Sequence, residues 1–321
     1  MATWELKGKV ALVTGAGSDQ SVLTGAPGIS FTLAKRLLEA GCSVVALRPE
    51  AEELFKQYPH PPTKEGAASA VFQPTDLVDW SQINAAWKKT LDTFGRVNLL
   101  VNGAGLYEPP FSDFWNPPGI SPAATDDPDA KVGTYRTYAV NTIAPIRLAQ
   151  IAVEYWLRPE NRHLEGNILW LASMAGYIHG LLTPFYYSSK AAVVSMCKSL
   201  GSLKKIAGIR NTAICPGVVD TPIFHTPYSR ERVQSDDLML TVDELVNVAI
   251  RAIQEPQYGD GSIVEVFCAG TNEAHEVVVR DVPLEAVYNM EGLAGLAAGT
   301  HIISLQENFE QQLKEKGLVF N

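Results

Sequence analysis

Short runs rich in valine, isoleucine and leucine alternate with longer segments of helical periodicity along most of the chain. In the segment after the first such run, Leu33, Leu37 and Leu38 fall on one helical stripe. This alternation predicts βαβ crossovers and a parallel sheet that helices cover on both faces. We therefore expect an α/β fold with a doubly wound parallel sheet of about seven strands, at residues 10–13, 43–47, 70–73, 98–101, 167–171, 211–215 and 262–267.

Three stretches interrupt the alternation. Residues 17–27 lie inside what should be a tight strand-to-helix turn, and residues 107–135 form a long connection rich in proline, aspartate and aromatic residues. A less regular stretch follows residue 270, before a helix that the pattern predicts over residues 304–316. We expect a single domain over residues 5–270 that carries these two inserts, followed by a C-terminal extension over residues 271–321.

Composition and charge exclude several classes of partner. The chain has 321 residues, of which 46% are hydrophobic and 19% charged, enough apolar material for one large core. Its formal net charge of −9 argues against nucleic acid and anionic membranes, because both need a basic face. We see no secretory signal and no membrane-spanning stretch, so we expect a cytoplasmic protein.

The cysteines indicate neither disulfides nor a metal site. They form no CxxC pair and have no histidines at ligand spacing, and all of them lie in apolar segments. Buried free thiols are therefore the expectation. The residues concerned are Cys42, Cys197, Cys215 and Cys268.

A glycine-rich turn follows the first predicted strand. Gly15 ends the strand while Gly28 and Ile29 open the first helix, so helix amides can meet a pyrophosphate there. Such a turn is weak evidence by itself, because any loop can contain glycines. At the end of the second strand stands Arg48, either a surface arginine or a partner for the 2′-phosphate of NADP. Asp76, after the third strand, can accept from an adenine amino group or cap a helix.

An ordered set of motifs extends this pattern over residues 5–270. It comprises Thr14-Gly15 with Gly28, Asn102-Gly103-Ala104-Gly105, Asn141, Ser173, Tyr186 with Lys190, and Pro216-Gly217 with Thr221. In this order the set resembles the short-chain dehydrogenase/reductase (SDR) family, whose sheet is Rossmann-like. The long inserts and the extended tail look most similar to fungal hydroxyaverantin-dehydrogenase-like enzymes, which implies a role in secondary metabolism.

The resemblance implies an NAD(P)-dependent oxidoreductase that interconverts a ketone and a secondary alcohol, with NADP preferred because of Arg48. It also implies a homodimer or homotetramer, in agreement with apolar residues on more than one face of a helix predicted over residues 186–205. Residues 102–105 would line the adenosine side, and Val219 and Thr221 the nicotinamide carboxamide. The residues expected to bind the cofactor are Gly15, Gly28, Ile29, Arg48, Asp76, Asn102, Ala104, Gly105, Tyr186, Lys190, Pro216, Gly217, Val219 and Thr221.

Four residues of the motif set suit hydride chemistry, namely Asn141, Ser173, Tyr186 and Lys190. Hydride addition to a carbonyl builds negative charge on oxygen, so a proton donor must lie within hydrogen-bond reach. We expect Tyr186 to be that donor, with its pKa drawn down by Lys190 on the same helix face. Ser173, at a strand end, can polarise the same oxygen. Asn141 resembles the family residue whose backbone holds a water that links the lysine to solvent.

The sequence departs from the family pattern at three places. Eleven residues separate Ala16 from Gly28, where the family turn is much shorter. Ser30 replaces the last glycine of that turn, and Gly103 replaces the second asparagine of the usual Asn-Asn-Ala-Gly. These departures concern the geometry of the phosphate loop and some local hydrogen bonding, rather than the chemistry.

Other functions stay open at this point. The chain can be a cofactor-binding regulatory protein without turnover, or an enzyme of this fold that couples a cyclisation to reduction. Apolar side chains flank the expected pocket and favour a bulky, apolar or aromatic small-molecule substrate. We expect residues 107–135 and 224–237 to form the mouth of this pocket. The flanking residues are Phe111, Phe114, Trp115, Ile178, Leu181, Leu182, Phe185, Phe224 and Tyr228.

Overall fold

One eight-stranded sheet forms the centre of the computed structural model, which describes residues 3–15, 28–47, 56–234, 236–271, 274–283 and 297–317. The strand order is β3-β2-β1-β4-β5-β6-β7-β8, parallel from β3 to β7 and antiparallel between β7 and β8. The strands are β1 Val10–Val13, β2 Ser43–Ala46, β3 Ala70–Phe72, β4 Leu99–Asn102, β5 Asn167–Leu171, β6 Arg210–Pro216, β7 Asp260–Thr271 and β8 Ala274–Asp281.

The predicted fold class is confirmed, and each predicted strand is present with small shifts at its ends. The sheet has one strand more than predicted, because β8 forms where we expected a less regular stretch. In β8 only Val277, Val278 and Val279 are half-buried, while the residues on either side of them are exposed and mostly charged. Such an edge strand lacks the continuous apolar run of a central parallel strand.

Helices cover both faces of the sheet. One face is packed by α1 (Ile29–Glu39) and α6 (Val242–Gln254), and the other by α2 (Trp80–Phe94), α3 (Ala144–Leu157) and α4 (Pro184–Ser199). Two further helices are α5 (Leu203–Ala207) and α7 (Ala297–Lys316). Shorter turns are Arg136–Tyr138, the π-helical segment Ala139–Ile143, and the 3₁₀ segments Pro159–Leu164, Met174–Gly176, Pro222–Phe224 and Arg230–Arg232.

The helix predicted over residues 186–205 is wrong in its extent. The helix is interrupted at Gly201, where an added Cβ would overlap the Asp260 carbonyl, so α4 and α5 are separate helices. Val194 and Leu203 are buried within the chain's own core. The apolar surplus that suggested self-association is therefore smaller than the sequence pattern indicated.

The C-terminal helix is confirmed but starts earlier than predicted. It packs through the buried Leu313, and Arg162 Nη1 donates to the Lys314 carbonyl at 3.0 Å. No helix in the described ranges combines the length and apolar character needed to cross a membrane. All four cysteines are free, and only Cys268 is partly exposed.

The topology positions a crevice at the carboxyl edge of the sheet. Strands β1 and β4 are neighbours, yet the chain continues from β1 toward β3 and from β4 toward β7. The loops after β1 and β4 therefore leave in opposite directions. Ligands of open α/β sheets bind at such a switch point.

Candidate active site

The loops after β1 and β4 touch at the crevice. Gly15 has a φ of +73°, and an added Cβ would lie 2.7 Å from the Ala104 Cα. Both the backbone conformation and the lack of space therefore require glycine at this position. The Thr14 hydroxyl accepts from the Gly103 amide at 2.9 Å and from the Ala104 amide at 3.1 Å. Asn102 donates from Nδ2 to the Pro145 carbonyl at 3.2 Å. These contacts hold the second loop against the end of β1.

Helix α1 begins at the same crevice. Its N-cap Gly28 offers no capping side chain, and its first turn, starting at Ile29, contains no acidic residue. The first amides of the helix therefore remain able to bind an anion. Arg48 and the insert at residues 17–27 lie outside the described residues, so the predictions that concern them stay predictions.

The two departures from the family motif within the described chain are in contact. Gly103 lies against Ser30, and a Cβ added at Gly103 would overlap the Ser30 Oγ and lie 3.0 Å from the Thr14 carbonyl oxygen. Ser30 is itself buried. A serine at position 30 thus fits only because position 103 has no side chain. The loss of a side chain at position 103 therefore makes room for the serine at position 30.

Asp76 is not a helix N-cap. The N-cap of α2 is Asp79, which accepts from the Ser81 amide at 2.8 Å. Asp76 accepts from the Val78 amide at 3.2 Å and pairs with Arg136 at 3.3 Å. The capping alternative is therefore wrong, and the predicted adenine contact stays a prediction.

Ser173 and Tyr186 meet at the carboxyl end of β5. Ser173 follows the strand and accepts from the Ala175 amide at 3.1 Å, while Tyr186 lies in the first turn of α4. Burial raises the pKa of the Tyr186 phenol, and the nearby Ser173 hydroxyl opposes this only in part. The neighbouring Tyr187 ring instead packs over Gly180.

Lys190 is buried beneath the phenol. Its Nζ donates to the Leu171 carbonyl at 2.8 Å and lies 5.7 Å from the centroid of the Tyr186 ring. Burial lowers the pKa of Lys190 to about 8. The pKa of Tyr186 is raised in this structure, and Lys190 does not lower it. The role expected of Lys190 in shifting that pKa stays a prediction.

Asn141 connects the second loop to α4. It lies in the π-helical segment, a deviation that is frequent at functional sites. Its Oδ1 accepts from the Leu106 amide at 2.7 Å, and its Nδ2 donates to the Leu106 carbonyl at 2.9 Å and to the Ser189 Oγ at 3.1 Å. The side chain therefore pairs with Leu106 as a strand would. An added Cβ at Gly105 would lie 3.6 Å from the Lys190 Nζ, so this loop also adjoins the lysine.

The segment after β6 completes the carboxyl edge. Pro216 ends the strand, and the Gly217 amide donates to the Val266 carbonyl at 2.8 Å. Val219 and Thr221 are both buried, and Val219 forms a bridge with Leu240. The structure thus brings every described residue of the predicted site to the carboxyl edge of the sheet, including Asp76, which follows β3 and pairs with Arg136 at an exposed position.

Aromatic rings surround the phenol. Tyr107, which sequence analysis did not assign to the site, packs edge-on against Tyr186 with centroids 4.7 Å apart and against Phe224 at 5.3 Å. Phe185 is buried and packs 4.4 Å from the Tyr135 ring, so it anchors the insert at residues 107–135. Exposed apolar side chains mark the rim of this region, namely Phe114, Trp115, Ile178, Leu181 and Leu182.

Glu108 is a second residue that sequence analysis missed. It is buried, has a φ of 45°, and accepts from the Tyr186 amide at 2.8 Å and from the Phe114 amide at 3.1 Å. The N-cap Thr183 provides no side-chain hydrogen bond to α4, so Glu108 supplies the capping acceptor from 78 residues away. Burial raises the pKa of this carboxyl.

Comparisons with known proteins agree with this geometry. The model of the short chain dehydrogenase family matches residues 9–232. The chain belongs to the short-chain dehydrogenase family. It is therefore an oxidoreductase, as the motif set indicated, in a family that uses NAD(P).

Curated and solved relatives are distant members. A mouse 15-hydroxyprostaglandin dehydrogenase [NAD(+)] is 26% identical over 230 residues, covering 71% of this chain and 74% of the relative. An uncharacterized oxidoreductase of Staphylococcus epidermidis is 27% identical over 257 residues, covering 79% and 94%. A crystal structure of a short-chain type dehydrogenase/reductase from Mycobacterium marinum superposes with a TM-score of 0.62 at 21% identity, covering 81% and 94%, and supports the fold.

The crevice fits a dinucleotide of the kind this family binds. The close backbone approach at Gly15, the helix end without a capping side chain at Gly28, and the buried cation of Lys190 lie along one edge. Within the described residues, the one hydrogen bond found for the Lys190 Nζ leaves two of its three donors available. Gly15, Gly28 and Lys190 are thus suited to the phosphates and the ribose of such a group.

The contact between Ser30 and Gly103 predicts an energetic coupling. Gly103→Ala should lower the free energy of unfolding by about 1–3 kcal/mol, because the new methyl group overlaps the Ser30 Oγ. Ser30→Ala alone should cost less than about 1 kcal/mol. In the double variant, most of the cost of the alanine at position 103 should disappear. Denaturant unfolding of all four proteins measures the cycle, and effects that add to within about 0.5 kcal/mol would contradict the contact.

Glu108 should stabilise the start of α4. Glu108→Gln leaves one acceptor for two amides, so we expect a loss of about 1–3 kcal/mol in the free energy of unfolding, with lower turnover. Asp129→Asn, at an exposed position of the same insert, is the matched control and should change both quantities little. Denaturation and steady-state rates measure the outcome. Equal behaviour of the two variants would remove Glu108 from this role.

Proposed function

We propose that this enzyme interconverts a ketone and a secondary alcohol on a bulky, apolar or aromatic small molecule. The meeting of Ser173, Tyr186 and the buried Lys190 at the carboxyl end of β5 carries the proposal. Two hydroxyls at one point can polarise a carbonyl oxygen and deliver a proton to it. A regulatory protein would have no need of such a pair.

In the proposed reaction, the substrate oxygen binds between Ser173 and Tyr186. Ser173 donates a hydrogen bond to this oxygen, and Tyr186 transfers its phenolic proton as negative charge develops. A nicotinamide cofactor held by Gly15, Gly28 and Lys190 would supply or accept the hydride at the carbon. In the alcohol-oxidising direction, Tyr186 takes the proton instead. Tyr107 and Phe224 exclude water from one side of the phenol.

Lys190 and Asn141 support this step. Lys190 is proposed to hold the ribose of the cofactor through its remaining donors and, when protonated, to stabilise the phenolate. Asn141 positions the loop at Leu106, and its segment is proposed to hold a water that links Lys190 to solvent. Because the pKa of Lys190 is about 8, the lysine is largely protonated at neutral pH and loses its proton in mildly alkaline solution.

The finer assignments rest on sequence. Arg48, at the end of the predicted second strand with no acidic side chain before Glu50, supports a preference for NADP, although the mouse relative has NAD(+) in its name. Exposed apolar residues at the rim support an apolar substrate, and the name of the mouse relative agrees with an alcohol. A hydroxyaverantin-dehydrogenase-like subtype, a cytoplasmic location and a homodimer or homotetramer belong to the same proposal.

Tyr186→Phe tests the proton-transfer role. The change deletes the transferable proton and little binding surface, so kcat should fall by about 10²- to 10⁴-fold while cofactor affinity changes only a few-fold. Tyr187→Phe is the built-in control and should stay near the parent rate. Turnover with a panel of ketones and reduced cofactor, with fluorescence titration of the cofactor, measures both. Half of the parent rate in Tyr186→Phe would refute the assignment.

The cofactor preference is tested separately. If Arg48 meets a 2′-phosphate, NADPH should bind about ten- to a hundredfold more tightly than NADH, because a charged hydrogen bond contributes about 1.5–3 kcal/mol. Arg48→Asp should narrow or reverse this difference. Lys198→Asp, at an exposed position of the last turn of α4, should leave the ratio unchanged. Equal affinities in the parent protein would assign Arg48 to the surface.

A further inference from the structure

The β7–β8 hairpin places a cysteine and a histidine side by side, and neither belongs to the predicted active site. Cys268 pairs with Val277, and Gly270 pairs with His275, so Cys268 and His275 are diagonal neighbours on one face. Cys268 packs with the core cluster that includes α6. Cys268 has no histidine at ligand spacing in the sequence, but strand pairing brings His275 next to it. The spacing of residues in the sequence did not reveal this contact, because it depends on the pairing of β7 with β8, a strand that the sequence pattern did not predict.

Glu244 reaches the same point from α6. Its Oε2 accepts from the amide and the hydroxyl of the N-cap Thr241, each at 2.8 Å, which fixes the carboxylate. Its Oε1 lies 2.9 Å from the His275 Nε2. Oε2 thus belongs to the capping box, and Oε1 contacts the hairpin through His275.

The three side chains form a compact donor set. The Glu244 oxygen, the Cys268 sulfur and the His275 nitrogen all lie within 4.8 Å of one another. Glu244 and Cys268 are half-buried and His275 is exposed, so an ion can enter from solvent. In the described part of the chain, no other three such side chains meet this condition.

We propose that Glu244, Cys268 and His275 bind one zinc ion, with water in the fourth position. Thiolate and imidazole ligands select zinc over magnesium and calcium, which prefer oxygen ligands. Usual zinc bond lengths and tetrahedral angles put neighbouring ligand atoms about 3.3–3.6 Å apart, so the Glu244–His275 pair need open only by about 0.5 Å. The hydrogen bonds of Thr241 to Glu244 orient this ligand from outside.

Binding has a defined proton balance. The Cys268 thiol releases its proton to solvent, the neutral His275 coordinates through Nε2, and the Glu244–His275 hydrogen bond is replaced by two bonds to the metal. No redox step occurs. The ion would join α6 to both strands of the hairpin, and its predicted effect is to hold the edge strand β8 in place.

Titration of the metal-free, full-length protein with zinc chloride tests the site. We expect one zinc per chain with a dissociation constant in the micromolar range or tighter, and no competition from millimolar magnesium. Cys268→Ser and Glu244→Gln should each weaken binding by about tenfold or more. His163→Ala, at an exposed histidine elsewhere, is the control and should bind like the parent. Circular dichroism establishes that each variant is folded.

Two further readouts separate a built site from adventitious binding. Cobalt in place of zinc should give a thiolate-to-metal charge-transfer band that Cys268→Ser abolishes. Zinc should also slow hydrogen exchange in β8 and raise the melting temperature by a few degrees. Failure of the parent to bind zinc below about 100 μM, or binding and a cobalt band that survive Cys268→Ser, would overturn the site and leave Glu244 and His275 as a hydrogen-bonded pair alone.

Discussion

The segment that leaves β4 is the constraint on which the active site depends. Its start is fixed by the Thr14 hydroxyl and by the close approach of Gly15 to Ala104. Further along, Leu106 is paired through both backbone groups with Asn141, which also binds Ser189 of α4. A continuous chain of contacts therefore runs from the end of β1 to the helix that carries the tyrosine and the lysine.

The same segment then reaches the reacting phenol directly. Tyr107 packs on the Tyr186 ring, and the carboxylate of Glu108 accepts the Tyr186 amide. Residues 103–108 thus touch the end of β1, the proposed proton-transfer residue Tyr186 and the base of the insert. Because each contact is buried or half-buried, a shift in this loop would move the phenol relative to the cofactor crevice.

Burial sets the electrostatics of the catalytic pair. Desolvation raises the pKa of Tyr186 and lowers that of Lys190, so it favours the neutral form of both groups. A protonated phenol is the form that donates when a carbonyl is reduced. In the proposed reaction, this desolvation favours the phenol that donates to a carbonyl and opposes the phenolate that alcohol oxidation needs.

Sequence reasoning succeeded where a residue's role follows from local pattern. Buried central strands appear as apolar runs, and Tyr186 and Lys190 share a helix face by spacing alone. It failed where the role depends on a distant contact. Glu108 acts on an amide 78 residues away, and β8 is visible only through its pairing with β7. Ser30 and Gly103 looked like independent departures, although they are two sides of one contact.

The insert at residues 107–135 belongs to the rigid part of the site at both of its ends. Glu108 anchors the first end, and at the second the Thr137 amide and hydroxyl bond to the hydroxyl and carbonyl of Ser112 at 3.0 and 2.7 Å. Between them, Ile120 and Val132 are largely exposed. The first end is thus bonded to the start of α4 through Glu108, and the second packs on the same helix through the contact of Tyr135 with the Phe185 ring. A substitution at the exposed positions between them should therefore disturb Ser173 and Tyr186 less than one at either end.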